Sequence, residues 1–226
     1  MNTASAVRYS NRQQAGKKLA RALKSYKGAN TIVLALPRGG IVLGREVAKD
    51  LHVPLGLVLV RKIGHPHNSE FAVGAVAEDE KPIYNPGEKA LLDPKWLKNT
   101  EVEARKLIEK RKKIYYGKTF HPPEISGKIV ILVDDGIATG LTMIAAVLSV
   151  QHKNPEKVVV AAPVASQESL NTIRTIADEV LVLDPPETFI GAIGAHYITF
   201  DQVSDEEVRS TLREVYDDLH ATTAGN

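Results

Sequence analysis

The 226-residue chain carries 29 Lys and Arg against 27 Asp and Glu, with 43% hydrophobic and 25% charged residues. That length allows one large α/β domain with a small appendage, and a net charge of +2 gives no basis for binding nucleic acid or an acidic membrane. Cysteine is absent, which excludes disulfides, thiolate metal sites and cysteine nucleophiles. Arg8, Arg12, Lys17 and Lys18 interrupt the start against a secretory segment, and no apolar run reaches membrane-spanning length, so a soluble cytoplasmic protein is expected.

Residues 11 to 27 read as a first helix. Asn11 and Gln14 are spaced as a capping pair, Ala15, Leu19, Ala22, Leu23 and Tyr26 recur at helical spacing, and Gly28 closes the helix. The lysines and arginines between them form a solvated face. Thr31 to Leu36 is a continuous apolar run, expected as a strand buried on both faces. It ends in Pro37-Arg38-Gly39-Gly40, ahead of a helix from Ile41 to Leu51. Two glycines let the backbone approach an anion closely, and Arg38 offers a fork of donors. A plain strand–turn–helix connection is the alternative.

Leu55 to Val60 is the next buried strand and delivers Arg61-Lys62-Ile63-Gly64. These two cations face the same crevice as Arg38 or form a solvated strand end. His65-Pro66-His67-Asn68 lacks a third metal ligand and reads as a polar turn. Phe71 to Glu78 alternates small and apolar residues, as a strand leading away from the parallel core. Residues 79 to 127 break this rhythm. Pro94 fits a helix N1 position after Asp93, and the helix runs to about Tyr115 with a Glu101–Arg105 pair and a stripe of Leu97, Ala104, Leu107 and Ile114. The insertion is a surface that packs a dimer partner or, as the family resemblance given below implies, a lid.

The chain is organised around residues 128 to 142. Lys128 to Val133 is a strand buried on both faces, and it runs into Asp134 and Asp135. The loop Gly136-Ile137-Ala138-Thr139-Gly140 and Thr142 follow, then a buried helix through Leu148. Such a loop can turn N–H groups inward while the helix N-terminus adds partial positive charge, which makes an anion seat. Thr139 and Thr142 can add hydroxyl donors, and the two carboxylates suit ribose hydroxyls. A Lys-Ser/Thr pair after the glycines is missing, which excludes a nucleotide P-loop.

Lys157 to Pro163 and Glu179 to Leu183 are further core strands, with a helix capped by Ser166 between them. Five strands separated by helices imply an α/β fold with a doubly wound, mainly parallel sheet. The expected organisation is a core over 1–183 including the helical insertion at about 79–127, a small-residue segment over 184–203 (a hood, by the resemblance given below), a C-terminal helix over 204–220 and a disordered tail at 221–226. Val208, Leu212, Val215 and Leu219 line one face of that helix.

The segment from Asp134 to Thr142 behind its hydrophobic strand resembles the phosphoribosyl pyrophosphate (PRPP) signature of type I phosphoribosyltransferases. The resemblance covers most of residues 30 to 200. It implies a core with a hood, a 5-phosphate seat at Gly136, Ile137, Ala138, Thr139, Gly140 and Thr142, and a pyrophosphate loop at Arg38, Gly39 and Gly40. It also implies a strained peptide before Arg38, a non-proline cis bond being one form. Asp134, Asp135, Arg61 and Lys62 become the catalytic set. Phe189 becomes the base stacker and Ile190 its neighbour, with ordinary hood packing as the other reading of Phe189. Mg2+ would be held by PRPP and water near Asp134 and Asp135, with no direct protein ligand.

Two departures stand out. Ala138 replaces the Asp of hypoxanthine-type enzymes, as in adenine-type ones, and His196 replaces a hood aspartate. The mixture resembles a group of phosphoribosyltransferases whose acceptor is undefined. The implied activity is transfer of the 5-phosphoribosyl group of PRPP to a nitrogenous acceptor, a nucleobase with purine favoured, by a cytoplasmic homodimer acting in nucleotide metabolism and nucleoside salvage without nucleic-acid or membrane partners. The general base is unassigned, with Glu70, Glu78 and Glu80 as candidates. A PRPP-binding regulator without turnover is the alternative.

Overall fold

The computed structural model describes residues 8–28, 30–78, 80–117, 120–184, 187 and 189–223. Its centre is a five-stranded parallel sheet of β1 (Thr31–Ala35), β2 (Leu55–Leu57), β6 (Ile129–Val133), β7 (Lys157–Ala162) and β8 (Glu179–Val182), in the order β2-β1-β6-β7-β8. Because side chains alternate along a strand, each central strand feeds two cores. Val33, Ala35, Ile131, Val133, Val159 and Ala161 join one with α1 (Arg12–Ala22), α2 (Gly40–Leu51) and α7 (Asp205–Thr223). Ile32, Leu34, Val130, Leu132, Val158 and Val160 join the other with α5 (Leu141–Gln151) and α6 (Gln167–Ile173). Each fully buried Val, Leu or Ile contributes about 1.5–3 kcal/mol, which explains the unbroken apolar runs.

The strand order reverses between β1 and β6. Ala35 pairs with Val133, so the carboxyl ends of these strands finish level with one another. In open α/β sheets the crevice outside such a switch point is where ligands bind.

The run Leu55–Val60 is not one strand. β2 ends at Leu57, and β3 (Val60–His65) starts a separate antiparallel sheet with β4 (Asn68–Ala77) and β5 (Ile83–Tyr84). The insertion therefore begins at Val60 rather than at 79. It continues through α3 (Pro86–Leu91) and α4 (Pro94–Tyr116), where the Asp93 side chain accepts from Lys95 N at 2.7 Å. The buried stripe of α4 is Leu97, Ala104, Ile108, Tyr115 and Tyr116, while Leu107 is exposed. Tyr116 Oη accepts the Leu57 N–H at 2.8 Å and pins α4 to β2. Arg105 pairs with Glu101 and donates to the carbonyls of Glu78 and Glu80, closing the end of β4.

The hood draws on both ends of the described chain. Tyr9 pairs with Tyr197 in parallel, Ile198 N donates to Tyr9 O and Thr199 N to Ser10 O, both at 2.9 Å. The first helix keeps its Asn11 cap and ends at Ala22, followed by a 3-10 turn over Lys24–Tyr26. Helix α7 continues to Thr223, three residues into the segment expected as a disordered tail; residues 224–226 lie outside the described residues.

Candidate functional site

Two strand-to-helix turns meet at the switch point. After β1 the chain passes through Pro37-Arg38-Gly39, whose first peptide is cis, and enters α2 at Gly40. After β6 it passes through Asp134 and Asp135 and enters α5 at Leu141. The glycines let these turns touch. A Cβ at Gly39 would run into Asp135 Oδ2, and one at Gly40 would lie 2.7 Å from Val133 O and 3.1 Å from Asp134 Cα. Two helix N-termini thus meet at the switch point, and partial positive charge there favours an anion.

The acidic pair is held from several sides. Asp135 N donates to Asp134 Oδ1 at 2.8 Å, and Tyr197 Oη donates to Asp135 O at 2.6 Å. Arg12 Nε donates to Asp135 Oδ2 at 2.7 Å, and its Nη1 donates to Asp201 O at 2.6 Å. The guanidinium lies 3.6 Å from the Phe200 ring centroid. Burial pushes the Asp134 carboxyl well above the usual range, and the neighbouring Asp135 charge adds to this. Burial also raises Asp135, while Arg12 works against the rise. Asp134 keeps part of its surface open, whereas Asp135 is only 8% exposed.

The 136–140 loop is tied down on its outer side. Ile137 N donates to Val164 O at 3.0 Å, and Ser166 N to Ile137 O at 2.9 Å. The Ala138 carbonyl accepts from Ser166 Oγ at 2.6 Å and Ser169 Oγ at 2.5 Å. Gly140 has φ +73°, and a Cβ there would sit 2.9 Å from Ser169 Cβ, so glycine meets both the left-handed conformation and the close approach. Among the described residues, no backbone carbonyl accepts from the N–H groups of Ala138, Thr139, Gly140, Leu141 or Thr142. These donors are available to an anion. Thr139 is exposed and Thr142 half-buried.

The other expected residues have varied placements. Arg38 is exposed at the tip of its turn, and its charge bears on the Tyr115 hydroxyl, which donates to Asp205 Oδ1 at 2.7 Å. Arg61 and Lys62 are exposed on β3, opposite Val76 and Ala75, and not at the carboxyl end of a core strand. Phe189 is half-buried and stacked on His196 with ring centroids 5.3 Å apart, and Ile190 is 51% exposed. His196 Nε2 accepts the Ile190 N–H at 3.2 Å, and burial lowers its pKa. Of the base candidates, Glu78 pairs with Lys112 and Glu80 with His152; the Glu70 side chain lies outside what is described. His65 and His67 sit at the β3–β4 turn, where His67 N donates to His65 Nδ1.

Arg12, Ser169 and Tyr197 are members of this arrangement that sequence reasoning missed. Arg12 departs from the solvated face of α1: its side chain is only 12% exposed. Its position at N1 gave no signal, since Asp135 lies 123 residues away. Ser169 follows a recognised cap at Ser166, and Tyr197 carried no signal of its own.

Among the described residues no group of three or more His, Cys, Asp or Glu could hold a metal ion. Both carboxylates are engaged in internal contacts, a donor set that fits a hard cation such as Mg2+ only beside ligand oxygens and water.

A doubly wound parallel sheet with two glycine turns meeting beside an acidic pair at its switch point defines the class. The family described as "Phosphoribosyl transferase domain" matches residues 8–197, and the chain belongs to that family. It is 36% identical over 221 residues to "Putative phosphoribosyl transferase Rv0571c" of Mycobacterium tuberculosis, covering 93% of this chain and 48% of that protein. The chain thus spans about half the length of the curated relatives it matches. The crystal structure of TT1426 from Thermus thermophilus is 40% identical with a TM-score of 0.76, covering 92% of this chain and 99% of that one. No helix among the described residues is long and apolar enough to cross a membrane.

Proposed function

We propose that this chain transfers the 5-phosphoribosyl group of PRPP to a nitrogenous acceptor and releases pyrophosphate. The observation that carries the reading is the meeting of two glycine turns and two helix N-termini beside a buried acidic pair at the switch point. In this reading the free N–H groups of 138–142 seat the 5-phosphate, and Asp134 and Asp135 accept from the ribose hydroxyls. Arg38, with the turn at Gly39 and Gly40, holds the pyrophosphate. The C1–oxygen bond breaks and a C1–nitrogen bond forms through an oxocarbenium-like transition state. Arg61 and Lys62 offset charge that builds on the leaving group, a positioning and electrostatic role. Mg2+, when bound through PRPP and water, neutralises part of the pyrophosphate charge.

The acceptor is a nucleobase, with a purine favoured by the Phe189 and Ile190 pair at the hood, where one face of Phe189 is backed by His196. The protein works as a cytoplasmic homodimer in nucleobase salvage; residues 60–116 serve it as a lid or as the contact with the second copy.

Calorimetric titration of PRPP with Mg2+ into wild type and Asp134→Ala/Asp135→Ala tests the reading. Binding that disappears in the folded double variant supports it, and pyrophosphate release is then screened against purines, pyrimidines and other amines. No binding by folded wild type removes it. Binding without release for any acceptor favours a PRPP-responsive regulator instead.

A further inference from the structure

Arg12 is held in a way that a surface residue of a first helical turn is not. Its Nε is 2.7 Å from Asp135 Oδ2, its Nη1 is 2.6 Å from the Asp201 carbonyl, and its guanidinium covers Phe200 at 3.6 Å. On the side of the Gly39 turn, a Cβ at that position would come within 3.0 Å of Arg12 Nε and strike Asp135 Oδ2. One guanidinium therefore joins the turn after β1, the carboxylate after β6 and the end of the hood segment. Both partners of the ion pair are almost buried, with side chains 12% and 11% exposed.

A carboxylate offers about four acceptor directions on two oxygens, and Arg12 takes one of them on Oδ2. A rigid planar donor also fixes the rotation of the carboxyl group, which a flexible ammonium does poorly. Phe200 fixes the guanidinium in turn, through its ring face.

We propose that Arg12 is a positioning residue of the ribose subsite: it orients the Asp135 carboxylate toward a ribose hydroxyl and couples that contact to the Gly39 turn. The inference rests on the PRPP reading above and adds a residue and a specificity to it. Arg12 would set the preference for a sugar phosphate that carries its full complement of hydroxyls. The segment bearing Phe200 and Asp201 would thereby influence sugar recognition without touching the sugar.

The competing role is a strut joining α1 to the core, and sugar discrimination separates the two. Binding of ribose 5-phosphate, 2-deoxyribose 5-phosphate and 3-deoxyribose 5-phosphate is measured by calorimetry on wild type, Arg12→Lys and Arg12→Met. Wild type should prefer ribose 5-phosphate over the weaker deoxy sugar by about tenfold or more, the scale of a hydrogen bond to a charged group. In Arg12→Met the gap to the deoxy sugar lacking the hydroxyl that Asp135 reads should close to within about twofold, while the other gap, set by Asp134, persists, and Arg12→Lys should fall between. A strut would weaken all three ligands equally, and a folded Arg12→Met with the wild-type ratio overturns the proposal. Should that variant fail to fold, Phe200→Leu keeps the ion pair but removes the ring under the guanidinium. A fall in the ratio there supports the proposal and an unchanged ratio overturns it. Wild type that binds neither PRPP nor ribose 5-phosphate defeats the functional reading itself, a different outcome from wild-type binding that ignores Arg12.

Discussion

The Ser169 hydroxyl donates to the carbonyl of Ala138 at 2.5 Å, across 31 residues of chain. With Ser166 it engages that carbonyl, while no backbone carbonyl accepts from the N–H groups of 138–142 among the described residues. In the proposed reading this clamp shapes the loop for the 5-phosphate in advance. Ser169→Ala should leave the fold intact, cost about 0.5–1.5 kcal/mol of stability, and weaken PRPP about three- to tenfold. Denaturant unfolding and calorimetry read the two effects separately. Unchanged PRPP affinity would remove the clamp from the account.

Gly39 is the point where the two turns come closest. Its replacement by Ala forces a methyl group onto Asp135 Oδ2, so the acidic pair or the turn has to move. Displacement of about 1 Å at such a site costs on the order of 100-fold in rate. Gly39→Ala should lose turnover to that extent while near-native circular dichroism persists, and full activity would contradict the geometry.

Asp134 sets function against stability. Burial and the Asp135 charge raise its carboxyl well above the unfolded value, so the folded state holds the proton more tightly than the unfolded chain does. Stability contributed by this group therefore falls as pH rises from the ordinary carboxylate range through the elevated folded value. Asp134→Asn keeps an oxygen for the Asp135 N–H and loses the charge. It should gain about 0.5–2 kcal/mol at neutral pH, lose that advantage toward pH 4, and lack turnover. Thermal unfolding across pH checks the sign, and a loss of stability at pH 7 would refute the assignment.

Tyr116 and Leu57 test how the insertion is anchored. The Tyr116 hydroxyl is the acceptor for a buried strand N–H, and Tyr116→Phe leaves that donor without a partner. The expected cost is about 1–3 kcal/mol, measurable by urea unfolding. A cost near zero would mean that α4 is not held there.

The continuous apolar runs and the acidic-pair loop made the parallel sheet, its two covering layers and the crevice readable in advance. Such runs report burial on both faces, but they do not say which sheet a strand joins. For that reason Leu55–Val60 looked like one strand when β2 and β3 divide it. The exchange of Leu107 for Ile108 on α4 is a one-residue rotation that a sparse stripe does not resolve. Arg12 and Tyr197 could not be read at all as partners of Asp135. Their meeting depends on the hood returning to the first helix, and no local pattern of charge or spacing records such a return.

The pairing of Tyr9 and Ser10 with Ile198 and Thr199 bears on the order in which the molecule is made. During synthesis the five parallel strands are complete once β8 has emerged, while α7, which helps to cover one face of the sheet, is still to come. The acidic pair at that stage still lacks the Tyr197 hydroxyl on its backbone and the Phe200 ring beneath Arg12. Tyr9, Ser10 and Arg12 thus wait for residues 197–201, so a nascent chain completes its sheet before it completes the surroundings of the acidic pair.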